Sequence, residues 1–341
     1  MCTASTRSPK RGPDVSIRLG ILGIGSMGRH HVRNARATAG VDLVALADPG
    51  GDRFGVAGDL PVLGGVEELI EAGIDAAIIA APTAHHEAAA LALAEAGIHT
   101  LVEKPLATSV EAGVRIRDAF ASAGLVGAVG YVERCNPALI DMRRRIADGQ
   151  LGAIEQIATR RQSPFPARIS DVGVVKDLAT HDVDLAAWVA GAPYEAIYAR
   201  TSTRSGRPHE DMMVASGVLR GGILVNHLVN WLTPFKDRTT IVTGEGGALV
   251  ADTAMGDLTF YENGHAPLQW DAIAAFRGVS EGQVVRYALT KREPLAVEHE
   301  RFRDAILGIG AEHVTMDDAL DNLRVVEAIL ASAASGHSVN L

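Results

Sequence analysis

Three stretches of the chain carry the residues best suited to chemistry. In LVEKPLA, Glu103, Lys104 and Pro105 close an apolar run, and Lys104 is one of only five lysines among 32 basic residues. Beside another positive charge such a lysine would favour its neutral, proton-accepting form. In VVKDLATHDVDLAAW, Asp177 and His181 stand four apart, one turn along a helix, and Asp184 and Trp188 continue that face. A carboxylate there can fix the imidazole for proton transfer, bind a substrate itself, or form an ordinary surface ion pair. In LGILGIGSMGRHH, the spacing G-x-G-x-x-G falls on Gly23, Gly25 and Gly28, with Ser26 and Met27 before the last glycine. Gly23 permits a tight turn, Gly25 lets a pyrophosphate approach the backbone, and Gly28 allows helix and strand to pack closely. The helix that follows offers free N–H groups to phosphates. Asp48 lies twenty positions beyond Gly28 at the end of the next apolar run. A carboxylate there accepts both ribose hydroxyls and repels a 2′-phosphate, which favours NAD over NADP; its other reading is a turn residue before Pro49.

These residues need a scaffold, and the apolar pattern supplies one. From Ile17 short apolar runs alternate with Ala-rich periodic ones: IRLGIL, a helix through His31 and Arg36, VDLVALA, DAAIIAA, a helix from about 85 to 95, IHTLVE, a helix from about 109 to 121, and VGAVGYV. Such alternation builds a parallel sheet with helices on both faces. After Pro137 the rhythm changes. A helix over 139–147, a strand over 154–159, a Pro-rich loop and a helix over 174–189 lead to successive strands with Gly-rich turns from Ala196 to Thr290. Two closing helices are predicted at 298–307 and 317–334. The expected fold is α/β: an N-terminal Rossmann doubly wound parallel sheet, then a C-terminal α/β domain with a large, mostly antiparallel sheet. The expected division is a flexible arm at 1–16, a cofactor domain at 17–132, and a substrate-binding and oligomerisation domain at 133–341.

The 341 residues carry 41 acidic against 32 basic groups, a net charge of -9, which disfavours nucleic acid and anionic lipid as partners. No apolar run reaches the roughly 18 residues of a membrane span, and two cysteines make no disulfide framework, so a cytoplasmic protein is expected. No metal is expected. His30, His31 and His85 lack a carboxylate or thiolate set, and adjacent side chains on a helix diverge.

Together these motifs resemble the glucose-fructose oxidoreductase / inositol dehydrogenase (Gfo/Idh/MocA) oxidoreductases over residues 17–341. The parts that match are the Gly23 to Gly28 loop, Pro82-Thr83 with His86, Glu103-Lys104-Pro105, and Asp177-x-x-x-His181. The resemblance implies NAD as cofactor, a cis bond before Pro105, cofactor contacts from Pro82, Thr83, His86 and Glu103, and a lysine and a histidine flanking the oxidised carbon. YVERCNPALI and RRQSPFPARISDVGVVKDLATHDVDL further resemble the branch acting on the 3-hydroxyl of UDP-N-acetylglucosamine. That implies substrate contacts from Arg134, Asn136, Arg161 and Arg168, of which two or three arginines could hold a diphosphate.

The expected reaction is NAD-dependent oxidation of a secondary hydroxyl. His181 is the expected general base, Lys104 would stabilise the alkoxide or share the proton, and Asp177 would orient His181 or a sugar hydroxyl. The alternatives are an inositol or free-sugar dehydrogenase and a non-catalytic dinucleotide-sensing regulator. Apolar residues on both faces of GILVNHLVNWL point to a homodimer or homotetramer.

Overall fold

The computed structural model describes residues 16–166, 172–264, 280–310 and 312–341. The expected N-terminal arm, apart from Ser16, and Arg168 lie outside the described residues. The first half runs β1 (Ile17–Leu22), α1 (Gly28–Ala37), β2 (Val41–Ala47), β3 (Val62–Leu63), α2 (Val66–Glu71), β4 (Ala76–Ile79), α3 (His86–Glu95), β5 (His99–Glu103), α4 (Val110–Ala123) and β6 (Gly127–Gly130). Its six strands are all parallel in the order β3-β2-β1-β4-β5-β6. Every residue of β4 is fully buried, as a parallel strand covered on both faces requires. Strand order reverses at β1, which lies between β2 and β4, so a crevice opens beyond the carboxyl ends of β1 and β4.

The second half adds α5 (Pro137–Ala147), β7 (Ile154–Pro164), a π-turn (Val175–Ala179) continuous with α6 (Thr180–Ala190), β8 (Tyr194–Ser202), β9 (Met212–Leu219), β10 (Ile223–Asn230), β11 (Leu232–Gly244), β12 (Gly247–Asp252), β13 (Asp257–Gly264) and β14 (Ser280–Arg286). It closes with α7 (Pro294–Leu307), α8 (Met316–Ser335) and β15 (Val339–Asn340). Nine strands form one sheet, β14-β13-β12-β11-β7-β10-β9-β8-β15, antiparallel except between β7 and β10. Val183, Leu185 and Trp188 of α6 share one buried cluster with Met213, Val225 and Val229 of the sheet. The structure differs from the pattern reading in several elements: β3 and α2 stand between β2 and β4, and β7 runs on to Pro164. The segment before α6 is π-helical rather than α-helical, and β15 joins the sheet edge beside β8.

The closing helices cross back to the first half. Phe302 of α7 is buried with Ile17, Leu19 and Leu101, while Met316, Ala319 and Leu320 of α8 join Ile116 and Phe120. Leu320 Cδ2 lies 2.7 Å from where a Cβ on Gly113 would stand, so glycine there is what lets α8 seat on α4. The closing helices α7 and α8 therefore share buried clusters with the first half of the chain.

Candidate active site

The glycine loop is closed by backbone contacts that side chains would break. Gly23 has φ +86°, and a Cβ there would come 2.7 Å from Ala81 N. On Gly28 a Cβ would come 1.9 Å from Gly23 O, whereas on Gly25 it would meet nothing within 4 Å. The first and third glycines thus serve the fold and the second faces open space, as a pyrophosphate approaching the backbone needs. Ser26 and Met27 complete the turn, Met27 standing at the N-cap of α1. Asp48 braces the same crevice, accepting from Ile24 N at 3.0 Å and Gly50 N at 2.7 Å. It is half-buried, so turn-former and ribose acceptor are compatible roles. Beyond it Arg29 stacks on Phe54 at 4.8 Å, and Arg53 lies against Gly50.

Pro82 and Thr83 open the 3₁₀ turn that leads into α3, next to the Ala80-Ala81 backbone touched by Gly23. His86 follows, but it is fully buried. Its Nε2 lies 2.9 Å from Ala81 O and its Nδ1 3.0 Å from Pro105 O, so it ties the loop after β4 to the loop after β5 instead of facing a cofactor. Burial pushes its pKa down. The Lys104-Pro105 bond is cis.

Glu103 also points inward. Its Oε1 lies 2.9 Å from His31 Nε2, and its Oε2 accepts from the Lys104 backbone N–H at 3.1 Å. His31 Nδ1 in turn lies 2.9 Å from His299 Nε2 on α7. Burial raises the Glu103 pKa, but the His31 bond and the charge of Lys104 outweigh it and hold the carboxyl below its usual range. Glu103 therefore fixes the backbone that presents Lys104, and His31 and His299 lock Glu103.

Lys104 reaches across to the π-turn. Its Nζ donates to Asp177 O at 2.8 Å and Asp177 Oδ1 at 3.1 Å. The carboxylate therefore orients Lys104 and not, as one expectation had it, His181. Asp177 Oδ2 and His181 Nδ1 are buried atoms with no hydrogen-bond partner among the described residues. Desolvation, then the charges of Lys104, Arg161 and Arg238, keep the His181 pKa well below 6.5, so the ring is neutral at pH 7. An unpaired carboxylate oxygen and an unpaired imidazole nitrogen beside an ammonium suit one class of guest: a hydroxyl that must be held by acceptors and then lose its proton.

Residues that the sequence did not single out hold this pair in place. Tyr131 meets the His181 ring edge-on at 6.2 Å and its hydroxyl lies 3.2 Å from Thr180 Oγ1. Thr180 is clasped by Asn322 of α8, donating to its Oδ1 at 2.8 Å while the carbonyl of Thr180 accepts from Asn322 Nδ2 at 2.8 Å. Glu210 receives the N–H groups of Val174 and Val175 at the start of the π-turn. None of these has a spacing signal, because each partner comes from a distant element.

Arg134, Asn136 and Arg161, expected at the substrate, are each engaged by partners within the protein. Arg134 forms a buried two-pronged bond to Asp184, at 2.8 and 2.6 Å. Arg161 is fully engaged with Glu133 at 2.7 Å and Asp182 at 2.9 Å. Asn136 caps α5 and donates to Thr253 O at 2.9 Å. Guanidiniums already neutralised inside the protein are poorly placed to grip a diphosphate, since breaking such a pair strands a buried carboxylate.

Among known proteins, residues 17–131 match the family described as "Oxidoreductase family, NAD-binding Rossmann fold", and residues 139–250 match "GFO/IDH/MocA C-terminal domain". A UDP-N-acetylglucosamine 3-dehydrogenase from Acidithiobacillus ferrooxidans is 28% identical over 93% of this chain and 96% of its own length. Its crystal structure superposes with a TM-score of 0.83, covering 94% of this chain and 98% of that one. A scyllo-inositol 2-dehydrogenase (NAD(+)) from Bacillus subtilis is 32% identical over 53% of this chain and 56% of its own length. GenD2 from gentamicin A biosynthesis, solved in complex with NAD, shares the fold with a TM-score of 0.80 at 24% identity, covering 98% of this chain and 99% of that one.

Proposed function

The chain belongs to the Gfo/Idh/MocA oxidoreductase family, and from that premise we propose that it oxidises the 3-hydroxyl of a nucleotide sugar of the UDP-N-acetylglucosamine type to a ketone. Its cofactor is NAD, for which the open backbone at Gly25 and the carboxylate of Asp48 fit. In this reading Gly23 to Gly28, Asp48, Pro82 and Thr83 border the cofactor crevice, and residues 133–341 supply most of the substrate side and the assembly surface.

The observation that carries the reading is the pair of unpartnered buried atoms, Asp177 Oδ2 and His181 Nδ1, with Lys104 Nζ held on the same carboxylate and its charge felt by His181. When bound, NAD supplies the acceptor for the hydride leaving the carbinol carbon. His181, neutral because of its burial and cationic neighbours, takes the hydroxyl proton. Lys104, pinned by Asp177, stabilises the oxyanion that develops on the same oxygen. Asp177 uses its remaining oxygen to hold a neighbouring hydroxyl.

Near end-to-end similarity to a UDP-N-acetylglucosamine 3-dehydrogenase supports the sugar, and inositol dehydrogenases of comparable identity keep cyclitols as the second reading. A non-catalytic regulator has less support, because Lys104, Asp177 and His181 are all retained. Purified protein with NAD, tested on UDP-sugars and cyclitols for reduced-nicotinamide absorbance and product mass, separates these readings. Turnover of cyclitols alone overturns the nucleotide sugar, and no turnover of either class overturns the enzyme.

A further inference from the structure

Arg238 occupies an unusual electrostatic position. It lies on β11 opposite Arg161 of β7 in the ladder. Thr240 and Val242, on the same strand face, are buried toward the helices, whereas Asp237 on the other face pairs with Arg160 at 3.3 Å. Arg238 therefore points into the same interior as Arg161. Arg161 has two carboxylates of its own. Arg238 has none within 4.0 Å among the described residues, and its hydrogen bond there is a single long one, Nη1 to Gln162 O at 3.4 Å. Desolvation and the neighbouring Arg161 push its pKa down, and its charge is felt by His181. Its side chain is nevertheless only partly withdrawn from solvent.

We propose that Arg238 receives an oxyanion of the substrate, a phosphoryl or carboxylate group, at the sheet side of the active site. A guanidinium drawn partly out of water beside a second guanidinium is a stored cost, and an incoming anion removes it. Four of its five N–H donors are uncommitted within the described structure, enough for a two-pronged grip. A neutral cyclitol would leave that cost in place. This proposal deepens the nucleotide-sugar reading and rests on it, with the diphosphate as the expected oxyanion.

The test uses the full chain loaded with NAD, with Arg238→Met and Arg238→Lys. Methionine is expected to raise KM for UDP-N-acetylglucosamine roughly 10–100-fold, the worth of a hydrogen-bonded charge contact. The expected kcat is within about threefold of the parent, as for lost uniform binding. Lysine should restore part of the loss. NAD affinity and KM for uncharged polyols should stay unchanged, and Tm should hold or rise because a like-charge contact is removed; a structural role would lower it. Turnover of UDP-N-acetylglucosamine with an unchanged KM, or an equal KM change for charged and uncharged substrates, overturns the proposal while sparing the reading. If no UDP-sugar is turned over, that reading fails. Calorimetry with UDP, pyrophosphate and glucuronate then decides for Arg238: binding abolished by methionine supports it and identifies the oxyanion as phosphoryl or carboxylate. Binding of none, or binding that survives methionine, overturns it.

Discussion

Lys104 Nζ is bonded twice to Asp177, once to its carbonyl at 2.8 Å and once to its carboxylate at 3.1 Å, so a single side chain joins the end of β5 to the π-turn before α6. That contact leaves His181 unpartnered and free to take a proton, which separates orientation from proton transfer. Replacing Lys104 with Met or His181 with Asn is expected to lower turnover by roughly the 10²–10⁴-fold of a lost positioned acid or base. NAD binding should persist, because neither side chain holds the glycine loop. Asp177→Asn should weaken substrate as well as slow turnover, since it loses the negative charge beside Lys104 and one of the two acceptor oxygens, while the carbonyl bond to Lys104 remains. Steady-state rates with NAD affinity measured separately check this; near-normal turnover in both the Lys104 and His181 variants sinks the assignment.

Cofactor choice is expected to turn on Asp48. Its carboxylate accepts from Ile24 N and Gly50 N just beyond the end of β2, and its charge would repel a 2′-phosphate. Arg29 and Arg53 are exposed nearby, so removing the charge leaves a cationic rim. Asp48→Ala should weaken NAD and narrow its advantage over NADP. Competition binding that finds NADP preferred by the unaltered chain would contradict this.

The glycine loop and the Glu103-Lys104-Pro105 step were legible in the sequence because each is local: its spacing is its geometry; Asp177 and His181 were legible as residues, but a π-turn stands where the spacing predicts an α-helix. The roles of Arg134 and Arg161 were not legible, because a guanidinium is defined by its counter-ion: Asp182 reaches Arg161 only when α6 packs on β7, and Asp184 reaches Arg134 only when α6 packs beside the turn before α5. His31 met the same limit. As part of an HH pair it offered no metal set, and its partner His299 lies 268 residues away. Arg238 has no motif at all; it stands out only once β7 and β11 pair and place two guanidiniums side by side.

Association is expected through the large sheet. Along β10, Val225 and Val229 face the core, while Leu224 is 60% exposed; Val214, beside Leu228 in the ladder, is 51% exposed. An apolar patch on the solvent face of a sheet calls for a cover, and a second copy supplies one by symmetry. Light scattering should report a dimer or tetramer, and Leu224→Glu with Val214→Glu should drive it toward monomer without loss of secondary structure. A monomer at working concentration would rule this out.

Adjacent residues on α7 should pull the pH dependence of stability in opposite directions. His299 is buried against His31, and burial with that neighbour lowers its pKa to about 3. The unfolded chain binds this proton near pH 6.5 and the native chain does not, so the stabilisation is full above pH 6.5 and is lost as pH falls toward 3. Glu298 is the reverse. Neither carboxyl oxygen has a partner among the described residues, and the side chain faces a cavity of about 10 Å³ shared with Cys135 and Arg301. Burial, then the Glu103 charge, raises its pKa well above 4.5. The native chain keeps a proton that the unfolded chain releases, so stability is full below about pH 4.5 and falls as pH rises. Glutamine mimics the protonated acid without that loss. Glu298→Gln should therefore be more stable than the parent at pH 8, with the gap shrinking through pH 6 and closing by pH 4 in denaturant melts. Parallel stability curves for the two proteins across that range would show that Glu298 carries no buried proton.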